Sequence, residues 1–225
     1  MGSMPRRVEK QYFIPLLQET SREVGVQLSP FQGEQFWLYL QELLDWNRRV
    51  NLTAITDPAE IVIKHFVDSL TPLPYLGSAT SLLDVGSGAG FPGIPLKIAA
   101  PDLRLCLVDS GRKKVSFLKH VIRTLELGDA TAVHSRIENL PKAEPPFQIV
   151  VSRAFRRLEP LLNLVSPLLA PGCTLIAMLG PATPEDQERF QDLASAHGLH
   201  LARFVPLELP RGGDRRTLVF FRKGQ

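Results

Sequence analysis

The clearest chemistry in the chain lies in one stretch, Leu82-Leu83-Asp84-Val85-Gly86-Ser87-Gly88-Ala89-Gly90-Phe91-Pro92-Gly93. An apolar run leads into alternating glycines, and a helical pattern follows. Glycines at such a turn let the backbone bend tightly and let a ligand come close to it. A second acid, Asp109, ends the next apolar run, 21 residues beyond Gly88, where a carboxylate can accept both hydroxyls of a ribose. The dinucleotide fingerprint G-x-G-x-x-G/A fails, because Phe91 stands at its sixth position. Asp84, two residues before the first glycine, is also out of place beside an anionic pyrophosphate. A carboxylate there suits a cationic ligand, and S-adenosylmethionine carries both a sulfonium and an ammonium. Adenosylmethionine is therefore the expected cofactor, with Asp84, Gly86, Gly88, Gly90 and Asp109 as its contacts. A NAD-linked oxidoreductase is the weaker alternative.

The chain also says which methyl acceptors to set aside. Asp-x-Gly-x-Gly-x-Gly is similar to the first motif of the adenosylmethionine-dependent methyltransferases. In that class, transfer to cytosine C5 needs a cysteine nucleophile, usually after a proline. Here Leu105 precedes Cys106 and Gly172 precedes Cys173. Transfer to an adenine amino group typically uses an Asp/Asn-Pro-Pro-aromatic loop just after the fourth strand. Glu144-Pro145-Pro146-Phe147 looks like that loop but stands before the strand, as a lead-in turn. A ring nitrogen such as guanine N7 is different: it holds an in-plane lone pair and no proton. Alignment of nucleophile, methyl and sulfur is then enough, without a general base. No catalytic residue is assigned from the sequence.

The elements that position these residues follow from periodicity. From Ser81 onward, short apolar runs alternate with helical segments. The candidate strands are Ser81–Val85, Leu103–Asp109, Ala130–His134, Phe147–Ser152, Cys173–Leu179, Leu201–Leu207 and Thr217–Arg222. Segments Lys113–Leu127, Leu158–Leu169 and Pro184–His197 read as helices between them. That alternation implies βαβ units and a mostly parallel sheet. The last two strands are joined only by the turn Pro210–Asp214, which can link antiparallel neighbours but not parallel ones. The expected fold is thus a Rossmann-like α/β sheet of seven strands with one reversed strand. Before Ser81 the pattern is helical. Ser29-Pro30 and Asp57-Pro58 are helix starts, and Pro72 and Pro74 stop the second. Residues 5–76 are expected to form a helical extension and 77–225 the methyltransferase domain, together one compact unit.

Composition bounds the rest. With 225 residues, 44% hydrophobic and 22% charged, the chain is long enough for one large core and is not disordered or rod-like. Only two cysteines are present, each in an apolar run and without a CxxC or CxxH partner, so neither a disulfide framework nor a zinc site is expected. No metal is called for. No targeting or membrane segment is visible, since Pro167, Pro171 and Gly172 break the longest apolar stretch. A cytoplasmic monomer is the expectation.

Trp46–Thr53, His65-Phe66-Val67-Asp68-Ser69, Asp84–Pro95, Val108-Asp109-Ser110 and Ser152-Arg153-Ala154 together resemble one family closely. It is the bacterial small-subunit ribosomal RNA guanine-N7 methyltransferase G family, also called glucose-inhibited division protein B. The motifs occur in the family's order and span nearly the whole chain. The resemblance implies methyl transfer from adenosylmethionine to N7 of one guanine in 16S rRNA, near the decoding site. It implies cofactor contacts at Gly86, Phe91, Ile137, Glu138 and Arg153. On its own chemistry, Arg153 suits an RNA phosphate, the cofactor's carboxylate or an internal acid. One departure stands out. The family usually ends its fifth strand with Ala-x-Lys-Gly, and this chain has Ala177-Met178-Leu179-Gly180. A non-catalytic ribosome-binding or assembly module is the reading that this departure favours.

The net charge is only +3, yet the basic residues are clustered, mostly after strand ends. Contacts with RNA phosphates are expected from Arg156, Arg157 and Arg216. The partner is 16S rRNA or the small ribosomal subunit. His65 and Asp68, three apart on one helix face, are expected to lock the N-terminal helices to the sheet rather than act as acid and base. Phe91 and Phe155 are suited either to stack on a base or to pack in the core.

Overall fold

The computed structural model describes residues 9–140, 146–153, 155, 157–212 and 214–224. Arg156 and part of the Glu144–Phe147 run lie outside the described residues.

The chain opens with α1 (Lys10–Glu23) and α2 (Pro30–Asn47). The Ser29-Pro30 start forms as its residue types dictate. The Ser29 hydroxyl accepts the Gln32 amide, and the Gln32 side chain accepts the Ser29 amide at 2.8 Å. The other end of the Gln32 side chain donates to the Ile98 and Ala99 carbonyls, so the cap also ties α2 to the sheet-packing layer. The Asp57-Pro58 start holds too: Asp57 accepts the Glu60 amide at 2.9 Å. The helix that follows is not regular. Pro58–Ile61 (α3) widens into a π-helical stretch, Val62–Val67, and closes with Asp68–Leu70 (α4). The sequence pattern carried no sign of that widening.

Seven strands make one sheet: β1 (Ser81–Val85), β2 (Arg104–Asp109), β3 (Ala130–His134), β4 (Ile149–Ser152), β5 (Thr174–Leu179), β6 (Leu199–Glu208) and β7 (Arg215–Lys223). Their order is β3-β2-β1-β4-β5-β7-β6. The first five pair in parallel, and β7 runs antiparallel to both of its neighbours. The expected reversed strand is thus β7. The last hairpin is longer than the apolar runs suggested, because polar residues extend its strands: β6 continues to Glu208, and β7 runs from Arg215 to Lys223. The helices between strands are α5 (Gly93–Ala99), α6 (Arg112–Thr124), α7 (Leu158–Val165) and α8 (Pro184–Ala196). The segment read as one helix over Leu158–Leu169 leaves α-geometry after Val165, where a 3-10 turn containing Pro167 takes over.

Successive strand residues face opposite layers. Leu82, Leu105, Leu107 and Val151 pack with α1, α2, α5 and α6, whereas Leu83, Val85, Val108 and Val150 pack with α7 and α8. The N-terminal helices therefore share the core of one sheet face. Phe13, Phe36, Tyr39 and Phe66 meet there, and Phe66 and Tyr39 both reach Phe91 of the glycine loop. This contact lets the extension fix the loop's shape from beneath. No helix among the described residues is long and apolar enough to cross a membrane.

Candidate active site

The glycine loop lies between β1 and α5, at the carboxyl ends of the parallel strands, where open α/β sheets place their ligands. Gly86, Gly88 and Gly90 all have positive φ. At Gly90 (φ 98°), a Cβ would also lie 2.6 Å from Ile94 and 2.7 Å from the Tyr39 hydroxyl. That hydroxyl donates to the Ala89 carbonyl, so a helix of the extension grips the loop directly.

The two acids expected to meet the cofactor have different placements. Asp109, at the end of β2, accepts the Gly88 amide at 2.9 Å and the Gly111 amide at 2.7 Å, and Lys114 stands 3.8 Å away. It remains on the wall of a cleft of about 340 Å³. Asp84 is fully buried behind the loop instead. Its Oδ2 accepts the Gly93 amide at 2.8 Å, and its Oδ1 has no partner. Burial pushes this carboxyl up to about 7, against the opposing pull of the Gly93 amide and of Arg153.

The cleft brings together Gly86, Asp109, Ile137 and Glu138, four residues singled out by sequence. It does not include Asp84, Gly88 or Gly90, which shape it from behind, nor Phe91. Phe91 is buried, stacked on His65 with 4.7 Å between ring centroids, and covered by the Arg153 guanidinium at 5.0 Å. Of its two alternatives, Phe91 takes core packing. Ser110, Ser135 and Arg136 also line the cleft, which sequence reasoning missed. Their only signal was adjacency to Asp109 and Ile137.

A second cavity, of about 530 Å³, opens beside the first, and Phe155 lines both. Its walls include Lys64, His65 and Asp68 from the π-helical stretch and α4, Arg153 after β4, Leu179 at the end of β5, and Arg216 of β7. Arg153 has found the internal acid: Nη1 donates to Asp68 Oδ2 at 3.1 Å and to the Lys64 carbonyl at 3.2 Å. Arg216 approaches the same oxygen at 3.5 Å and Asp214 at 3.4 Å. His65 Nε2 lies 2.7 Å from the Thr53 hydroxyl, and Nδ1 lies 3.4 Å from Arg153. Burial, helped by the Arg153 charge, pushes His65 down to about 3, so its ring is neutral at any physiological pH. His65 and Asp68 thus lock the extension to the strand ends, as their spacing suggested. Of the basic residues expected at RNA, Arg157 is exposed at the start of α7, and Arg216 sits in the cavity wall.

Comparison with known proteins points to one family. The family model for rRNA small subunit methyltransferase G matches residues 32–216. The ribosomal RNA small subunit methyltransferase G of Geobacter sp. (strain M21) is 42% identical over 205 residues, covering 91% of this chain and 94% of that one. Its counterpart from Bacillus cytotoxicus is 41% identical over 206 residues, covering 89% and 86%. Among solved structures, a SAM-dependent methyltransferase from Aquifex aeolicus superposes with a TM-score of 0.55 at 18% identity, covering 73% of this chain and 93% of that chain. The M. jannaschii TYW2 structure in complex with AdoMet gives 0.52 at 13% identity, covering 64% and 68%. These two establish the fold: a class I methyltransferase sheet. On the breadth and identity of the sequence match, the chain belongs to the rRNA small subunit methyltransferase G family.

Proposed function

We propose that this chain transfers a methyl group from S-adenosylmethionine to N7 of one guanine in 16S rRNA, near the decoding site. The observation that carries this reading is the pair of cavities that adjoin at Phe155, at the carboxyl ends of the parallel strands. One is a nucleoside-sized cleft with a carboxylate at the end of β2. The other is a cationic recess with room for a nucleotide base.

The cleft's donor set fits the cofactor. Asp109 is placed to accept ribose hydroxyls, Ile137 offers an apolar wall to adenine, and Glu138 offers it an acceptor. Gly86 gives close backbone approach. Asp84 braces the loop from behind through the Gly93 amide, with one oxygen still unpartnered. Phe91 packs beneath the loop, and Arg153, held by Asp68, lines the adjoining recess rather than the cleft. The bound cofactor supplies an electrophilic methyl on a sulfonium. The chain's own residues hold the base in line with it and keep water out. N7 has no proton to lose, so orientation can carry the step. The neutral, locked state of His65 fits that requirement, since nothing asks it to move a proton.

Arg157 and Arg216 supply contacts to RNA phosphates, with Arg156 beside Arg157 in the sequence. The helical extension (5–76) and the methyltransferase domain (77–225) act as one unit, working as a monomer in the cytoplasm on 16S rRNA or the small subunit. The test is mass spectrometry of 16S rRNA from a strain lacking the gene. N7-methylguanosine at the decoding region should disappear, and purified protein should restore it with labelled adenosylmethionine. Persistence of the modification in the deletion strain would overturn the reading.

A further inference from the structure

We infer that Lys64 grips the RNA backbone beside the target base, exchanging its Glu60 partner for a phosphodiester at the mouth of the second cavity. This rests on the rRNA methyltransferase reading above and adds to it a residue that contacts the substrate.

Among the described residues, the cavity wall sets three cations, Lys64, Arg153 and Arg216, against two carboxylates, Asp68 and Asp214. The carboxylates are already held from within. Arg153 lies 3.1 Å from Asp68, and Arg216 lies 3.5 Å from Asp68 and 3.4 Å from Asp214. Lys64 has its partner outside: its Nζ donates to Glu60 at 2.8 Å, and Glu60 is not in the cavity wall. The recess therefore carries one cation more than it neutralises, and that cation is Lys64. It is also the outermost of the three. Its side chain is 33% exposed, against 25% for Arg216 and 19% for Arg153. The backbone beneath it is fixed, because the Lys64 carbonyl accepts from Arg153 at 3.2 Å.

The chemistry of that position suits a phosphate. A base drawn in beside the methyl donor leaves its sugar and phosphate toward the cavity's mouth, where the surplus charge lies. The phosphate meets an ammonium that has three N–H donors and gives one of them to Glu60. Glu60 competes weakly, because its side chain is half exposed and a solvated pair four residues apart contributes little. Until RNA arrives, Glu60 keeps the ammonium charged: its hydrogen bond pushes Lys64 up from the usual lysine range, and the charges of Asp214 and Arg216 also reach it. A guanidinium has five N–H groups, so Arg216 keeps donors for the same phosphate while it holds its carboxylates. The cofactor's own carboxylate is a poorer match, since Lys64 does not line the cleft.

The test measures binding to unmodified 16S rRNA or small subunits, whichever the wild-type chain methylates, over a series of KCl concentrations at fixed magnesium. Lys64→Gln should weaken binding by about 3- to 10-fold at physiological salt and flatten the slope of log affinity against log salt by about 0.7–0.9. Glu60→Gln should do the opposite and tighten binding about 2-fold, because it removes the competing anion. Lys64→Arg should keep the wild-type slope. Adenosylmethionine affinity in calorimetry should stay at the wild-type value in all three. A purely structural bridge predicts that Lys64→Gln and Glu60→Gln weaken RNA binding alike, and that result overturns the inference. So does a wild-type slope in Lys64→Gln, or a loss confined to adenosylmethionine. Should Lys64→Gln fail to fold, Glu60→Gln decides alone: tighter binding supports the inference, and weaker or equal binding overturns it. A wild-type chain that methylates neither RNA nor subunit refutes the parent reading, and this inference with it.

Discussion

Asp84 Oδ2 accepts the Gly93 amide at 2.8 Å, and a Cβ added to Gly93 would stand the same 2.8 Å from that oxygen and 2.4 Å from Leu107. The glycine is there for proximity, since its φ is not among the positive ones. Gly93→Ala should therefore cost about 1–3 kcal/mol of stability through overpacking. It should also weaken adenosylmethionine binding, although Gly93 does not line the cleft. Thermal unfolding and calorimetry measure both. Unchanged affinity in a destabilised variant would separate the two effects and remove Gly93 from the site's support.

The same carboxyl makes stability depend on pH. Asp84 is pushed up to about 7 in the folded chain, from 3.8 when unperturbed. Between these values the folded chain holds a proton that the unfolded chain has released. Stability contributed by Asp84 therefore falls as pH rises from about 4 to about 7, then levels off. Asp84→Asn keeps an acceptor for the Gly93 amide and removes the ionisation. Urea unfolding across this range should show a shallower pH slope in the variant than in the wild type. Identical slopes would count against a buried, protonatable Asp84.

His65 should contribute no limb to the pH–rate profile. Its ring is pushed down to about 3 by burial and Arg153, far below the range where an imidazole usually titrates. Wild type and His65→Gln should thus share one profile shape between about pH 6 and 9, at a lower rate for the variant. The loss of the His65–Phe91 stack should cost about 1 kcal/mol in stability. An inflection present in the wild type and absent in the variant would make His65 an acid or base after all.

Local features of this fold were legible and distant ones were not. The strand β1 falls where its apolar run places it, because a buried parallel strand is a short apolar run with turn residues at its ends; β3 keeps its expected bounds although, as the edge strand, it buries only Ala132. Gly86 and Asp109 were legible for a related reason: each follows or ends a strand, so strand order brings them together, whereas Ile137 and Glu138 were legible through the family resemblance. The cluster of Arg153, Asp68 and Arg216 was not. Its members come from three segments, separated by 85 and 148 residues from Asp68, and no periodicity encodes such a meeting. Nor does any residue type announce that Val62–Val67 widens into a π-helix, which brings Lys64, His65 and Asp68 to one cavity wall. Nothing in the helical pattern of α2 marks Tyr39, and only the three-dimensional structure shows its hydroxyl on the glycine loop.

Asp109→Asn should uncouple binding from folding. In the wild type, both carboxylate oxygens face amide donors, Gly111 on one side and Gly88 on the other. An asparagine keeps one acceptor and turns an NH2 group toward the second amide, so two donors oppose each other there. The same change removes half of the acceptor capacity available to a ribose. The expected loss in adenosylmethionine affinity is about 10- to 100-fold, equivalent to roughly 1.4–2.7 kcal/mol. Stability should change far less, because Asp109 ends its strand beside the cleft and supports no core packing. Lys114, 3.8 Å away, is itself 42% exposed, so solvent takes over most of the pairing it loses. Titration calorimetry beside thermal unfolding reads both quantities. Wild-type affinity in Asp109→Asn would move the ribose contact elsewhere, with Glu138 the next acid on the cleft wall to examine.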